Sequence, residues 1–317
     1  MLAMMNPLLA LVFAAVAATA SAASPDPAKL RLASANVLVL DADAGEPIYA
    51  KAADEVTPIA SLTKLMTAMV VLDGGQSLDD TLEVSLNDID FLKGSSSRLR
   101  LGTQLPRREM LRLALMSSEN RAASAVARYY PGGTDAFVNA MNFKAASLGM
   151  TRSRFADPTG LSPSNVSTAN DLAKLVKAAA DYPLIREYST TPSAFVEVDP
   201  AGRMVGFNNS NRLVASHNWE IQLQKTGYIR EAGRCLVMLA NIASKPVVIV
   251  LLDSVGKYTR LGDAERVKRW LETGEGMPEA LKRAVAGSSP RGVAAKRSSA
   301  GVRGTLPARS LVKVRSN

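Results

Sequence analysis

Strand-like segments sit at both ends of this chain, and helical ones fill the middle. Near the start, "SANVLVLDADAGEPIYAKAA" (34–53) holds two short apolar runs around a turn at Asp43-Ala44-Gly45. Far downstream, "IQLQKTGY", "RCLVMLANIA" and "PVVIVLLDS" are alternating or continuous apolar runs separated by turn residues. Between them lie stretches with helical spacing, among them "SLTKLMTAMVVLD", "RREMLRLALMSS", "NRAASAVARYY", "TDAFVNAMNFKAASLG" and "STANDLAKLVKAAADYP". In the last of these, Thr168 and Asp171 stand in capping-box positions. "YTRLGDAERVKRWLETG" adds a closing amphipathic helix. Strands are stable only when paired, so the two ends must meet. The expected class is therefore α+β: a mixed, mainly antiparallel sheet flanked by helices, with an all-helical subdomain inserted at about 74–215.

The extreme ends read differently. In "MLAMMNPLLALVFAAVAATASA" the apolar run Leu8 to Ala18 is too short to span a membrane, and Ala20-Ser21-Ala22 is a small-residue cleavage pattern. Residues 1–22 are expected to be a secretory signal peptide, although the segment has no Lys or Arg. From Leu281 to Asn317 there are nine basic and no acidic residues, which accounts for the whole net charge of +9. Residues 279–317 therefore read as a disordered basic tail, either a solvated extension or a weak contact to an anionic membrane or envelope surface. The remainder, 23–278, is within one charge of neutral, so nothing in it calls for nucleic acid. At 47% hydrophobic the 317-residue chain as a whole has a globular composition.

Several chemistries are hard to build from this inventory. His217 is the single histidine and sits in a polar, loop-like stretch, where an exposed structural role fits better than a catalytic triad. With one His and one Cys, a zinc site has too few ligands. Cys235 lies in an apolar strand and is expected to be an inert buried thiol. No cofactor or metal is called for. Lysine is the other common partner of a serine nucleophile, provided burial or a nearby cation lowers its pKa. Ser61 and Lys64 fit that need: three residues apart near the start of an apolar helix, they project from one face. The plainer alternative is a helix N-cap serine and a lysine reaching out to water. Ser-x-x-Lys also occurs at Ser254/Lys257, in a turn marked by Gly256, and at Ser310/Lys313 in the tail.

Two further motifs bear on the choice. Ser118-Glu119-Asn120 stands at the junction of two helical stretches, and Lys225-Thr226-Gly227 occurs once, in a strand, where Gly227 lets a ligand approach the backbone. Ser-x-x-Lys on a helix, then Ser-x-Asn, then Lys-Thr-Gly on a strand is the ordered set of the serine D-Ala-D-Ala peptidases. Over about Ser34 to Pro278 the chain resembles that penicillin-binding-protein family, which shares its fold with the serine β-lactamases. "PIASLTKLMTAMVVLD", "LALMSSENRAASAVARYYPGG", "DPTGLSPSNVSTANDL" and "WEIQLQKTGYIREAGRCLVM" resemble its D-alanyl-D-alanine endopeptidases in particular.

The resemblance implies an active site between sheet and helical subdomain, acting on peptidoglycan stem peptides in the periplasm and acylated by β-lactam antibiotics. Ser61 would be the nucleophile and Lys64 its general base. Ser118 would relay a proton to the leaving amine, held by Asn120 and Lys64. Lys225 would keep Lys64 neutral by repulsion and attract the substrate carboxylate, with Thr226 hydrogen-bonded to it. The backbone N–H groups of Ser61 and Tyr228 would form the oxyanion hole. The expected reaction is hydrolysis of D-Ala–diaminopimelate cross-links. The alternatives are a D-Ala-D-Ala carboxypeptidase, a β-lactamase or an inactive binding module. Against a β-lactamase stands "FADPTGLS", whose one acid, Asp157, reads as a turn former.

Overall fold

The computed structural model describes residues 25–199 and 202–276. The expected signal peptide and basic tail lie outside the described residues.

The chain opens with the hairpin β1 (Asn36–Asp41) and β2 (Pro47–Lys51). β3 (Thr57–Pro58) leads through a 3-10 turn, Ala60–Thr63, into α1 (Lys64–Asp73). There follow β4 (Thr81–Glu83), β5 (Gln104–Pro106), α2 (Arg107–Met116), α3 (Asn120–Arg128) and α4 (Gly133–Ser147). Next come β6 (Val166–Ser167), α5 (Ala169–Ala180), α6 (Pro183–Thr190), β7 (Ser193–Glu197) and β8 (Met204–Asn208). β9 (Glu220–Ile229), β10 (Gly233–Ile242), β11 (Lys245–Ser254) and α7 (Thr259–Thr273) close the described chain.

The two ends do meet. The main sheet has the order β2-β1-β11-β10-β9, and every pairing in it is antiparallel. β1 inserts beside the last strand, with Leu38 opposite Val250. The central strands are apolar at nearly every position because both faces of the sheet are covered. Alternation sorts their side chains. Val37, Val39, Met238, Ile249 and Leu251 pack with Ala264, Val267 and Trp270 of α7. Leu38, Val237, Val248, Val250 and Leu252 pack on the other side with the helices of the insert, including Leu65 and Met69 of α1 and Leu172 of α5.

The insert is not all-helical. It carries the short pairs β4·β5 and β7·β8, and β6, which pairs with β3 ahead of the insert. Pieces of two or three residues are too brief to show a period, and β7, whose burial does alternate, is only five residues long. The capping box on α5 is half made. Thr168 accepts from the Asp171 N–H, but the Asp171 carboxylate turns to the Arg152 N–H and the Ser153 hydroxyl, tying α5 to the loop after α4.

Candidate active site

Ser61 and Lys64 belong to different elements. Ser61 lies in the 3-10 turn and Lys64 begins α1. In a 3-10 turn residues i and i+3 eclipse, which aligns the pair more closely than α-helical spacing does. Lys64 Nζ donates to Ser61 Oγ at 3.0 Å. Its side chain does not reach water: Lys64 is 1% exposed. It also donates to Asn120 Oδ1 at 2.7 Å and to the Thr159 carbonyl at 2.6 Å. Burial lowers its pKa from the ordinary lysine value to about 8, against the opposing fields of Asp157, Glu119 and Asp90.

The Ser118-Glu119-Asn120 junction is a break between α2 and α3, with Ser118 in the left-handed region at φ +63°. A non-glycine residue there costs on the order of 1–3 kcal/mol, and such residues cluster at functional sites. The break turns Ser118 toward β9, where its Oγ accepts from Lys225 Nζ at 2.9 Å. Asn120 spends its amide on Lys64 and on Ser95 Oγ, the latter at 2.9 Å. The Ser118 hydroxyl is thus held by Lys225, where the resemblance implied Asn120 and Lys64.

Lys225 is fully buried and its pKa is lowered well below the usual lysine range, by burial first and then by the Lys64 and Arg260 charges. Burial, rather than repulsion by Lys225, is what lowers Lys64. Thr226 Oγ1 donates to Ser210 Oγ at 2.7 Å. Gly227 is needed for the chain itself: a Cβ there would lie 2.9 Å from the Ile59 carbonyl and 3.2 Å from the Ser61 nitrogen. β9 therefore runs hard against the serine turn at Gly227.

The loop after α4 grips the serine turn from behind. Asp157 accepts from the N–H groups of Thr159, Gly160 and Ser162, the Thr159 hydroxyl and the Asn165 amide. It is a turn former with no oxygen left for water. The turn aims the Thr159 carbonyl at Lys64. Gly160 sits at φ +81°, and a Cβ on it would fall 2.0 Å from the Ala60 carbonyl oxygen. Gly160→Ala is therefore expected to destabilise the protein by about 3 kcal/mol or more, read as a lowered thermal midpoint, since strain and a backbone clash add.

Motif reading missed Ser95, Ser210 and Thr159. Ser95 and Ser210 lie in unremarkable polar stretches, and Thr159 acts through its carbonyl, which every residue has. His217 and Cys235 stay outside this cluster. The Cys235 thiol is buried and pushed up to about 12, so it is inert.

A buried lysine against a serine, in a cleft between an antiparallel sheet and a mainly helical insert, defines the class: serine hydrolases of the penicillin-binding-protein fold. The chain belongs to the S11 peptidase family, described as D-alanyl-D-alanine carboxypeptidase, which matches residues 19–256. It is 51% identical over 249 residues to a D-alanyl-D-alanine endopeptidase of Pseudomonas aeruginosa, covering 78% of this chain and 80% of that one. An Escherichia coli protein of the same name is 50% identical over 243 residues, 77% of this chain and 78% of that one. The crystal structure of the Streptomyces K15 DD-transpeptidase superposes with a TM-score of 0.70 at 28% identity, covering 75% of this chain and 96% of that one.

Proposed function

We propose that the protein is a periplasmic, penicillin-sensitive endopeptidase that hydrolyses D-Ala–diaminopimelate cross-links, with Ser61 as nucleophile and Lys64 as general base. The observation that carries this is the hydrogen bonding of Lys64. As a neutral amine it has two N–H groups and one lone pair. Asn120 Oδ1 and the Thr159 carbonyl can only accept, so they take both N–H groups. The lone pair is left facing Ser61 Oγ, the one partner with a proton to give.

Acylation follows from that arrangement. Lys64 takes the hydroxyl proton as Oγ attacks the D-Ala carbonyl, and the oxyanion is met by the N–H groups of Ser61 and Tyr228. The C–N bond breaks as Ser118 passes a proton to the departing amine and is resupplied from the lysine pair. Thr226 and Lys225 hold the substrate carboxylate, whose negative charge opposes the lowering of the Lys225 pKa by burial. Water then attacks the ester and regenerates Ser61. With the Asp157 carboxylate wholly engaged, it is not free to activate that water against a bulky penicilloyl group, which favours a peptidase over a β-lactamase.

Endopeptidase action is supported by the names of the two half-identical relatives. Carboxypeptidase action uses the same acyl-enzyme and differs in the amine expelled. Purified protein is expected to release monomers from cross-linked dimers faster than D-Ala from monomeric pentapeptide. The reverse order overturns the preference. For the basic tail we propose attraction to an anionic envelope surface. Deleting 281–317 is expected to lower binding to anionic vesicles at low salt and to leave peptide hydrolysis intact.

A further inference from the structure

Beside Ser118 and Asn120 opens a pocket, lined also by Arg98, Glu119 and Phe207. Neither of its two charged residues is placed on the reacting groups above, although the Glu119 field acts on Lys64. Glu119 is 8% exposed, yet it forms no ion pair among the described residues. Its hydrogen bonds, from the Ser97 hydroxyl at 2.5 Å and the Arg121 N–H at 3.4 Å, both fall on Oε1. Oε2 accepts none among the described residues. Glu119 caps the N-terminus of α3 through Oε1 and lines the pocket, which leaves Oε2 for a cation entering it. Arg98, by contrast, is exposed and held in place: its guanidinium donates to the Gly206 carbonyl and lies over the Phe207 ring, 5.8 Å from the centroid. A guanidinium fixed by stacking is suited to take a carboxylate.

We propose that Glu119 and Arg98 form a subsite for a zwitterionic amino-acid terminus: the free end of the stem-peptide diamino acid, its ammonium on Glu119 and its carboxylate on Arg98. Diaminopimelate is a lysine carrying a carboxylate on its ε carbon, so its side chain ends in that pair of charges. The subsite rests on the peptidase reading above and adds to it the group that selects the substrate. No carboxylate or ammonium at the scissile bond is involved, because those positions belong to Lys225, Thr226 and Ser118.

The test uses three peptides ending in D-Ala-D-Ala whose preceding residue carries diaminopimelate, lysine or norleucine: both charges, the ammonium alone, or neither. Wild-type kcat/KM is expected to fall in that order, about tenfold per step, the size of a charge-assisted hydrogen bond. Arg98→Ala is expected to erase the diaminopimelate-over-lysine step and leave the lysine-over-norleucine step. Glu119→Gln keeps an acceptor for Ser97 and Arg121 and is expected to erase the second step. Any change it makes to Lys64 acts equally on all three peptides and cancels in the ratios. Equal rates for the three peptides with normal penicillin labelling, or preferences that survive both substitutions, overturn the subsite alone. Absence of both labelling and cleavage in the folded wild type overturns the peptidase reading and the subsite with it.

Discussion

Ser61→Ala will fold as the wild type does and take up no penicillin. The side chain is half-buried in a 3-10 turn, and its one hydrogen bond, from Lys64, contributes about 1 kcal/mol net. The turn itself is held by other contacts: Thr63 Oγ1 to the Ala60 carbonyl, the Ile59 N–H to the Asn165 carbonyl, and the Asn165 amide to Thr63. Removing the hydroxyl thus takes away the acylated atom and little else. Intact-mass spectrometry after penicillin treatment reads the result. The wild type is expected to gain one penicilloyl mass that persists for minutes or longer, since the loop carboxylate Asp157 is spent on its own turn. An adduct of the same mass on the Ser61→Ala protein would place the nucleophile elsewhere.

Lys64 sets the rate of that acylation, and the expected effect is large in two independent measurements. Lys64→Ala removes the proton acceptor and should slow acylation by a factor on the order of 10² to 10⁴, the range for loss of a general base. In the wild type the rate should depend on pH through the same group. Burial lowers Lys64 to about 8, and the neutral amine is the active form. Acylation is therefore expected to fall about tenfold per pH unit below 8 and to level off above it. The stability linkage has the matching sign. The folded pKa lies below the unfolded one, so between them the unfolded chain binds the extra proton, and stability rises with pH over that window. Below about pH 8 the buried lysine costs the fold about 3 kcal/mol. A pH profile with no inflection near 8 would count against Lys64 as base.

The lysine and the serine were legible as a pair because two residues three apart share a face in any helix. What that spacing left open was whether Lys64 reaches water or is sealed. The answer depends on Asn120, which is 56 residues away, and on the Thr159 carbonyl, 95 residues away. Gly227 shows the same limit. Its place in a strand signalled a close approach, and the structure adds that the Ile59–Ser61 backbone itself comes close.

The sequence by itself determined the α+β class, the joining of the two chain ends in one sheet, and the three motifs. These follow from local period and residue type: central strands covered on both faces must be apolar throughout, and a turn needs its glycine or aspartate. Only the tertiary structure decided that Ser118 is held by Lys225, that Asp157 is consumed by its own loop, and that Ser95, Thr159 and Ser210 complete the cluster. Those are contacts between segments far apart in the chain, made through backbone carbonyls and ordinary hydroxyls. Which of many equivalent groups meets a given side chain is set by how the elements pack, and no local pattern records it.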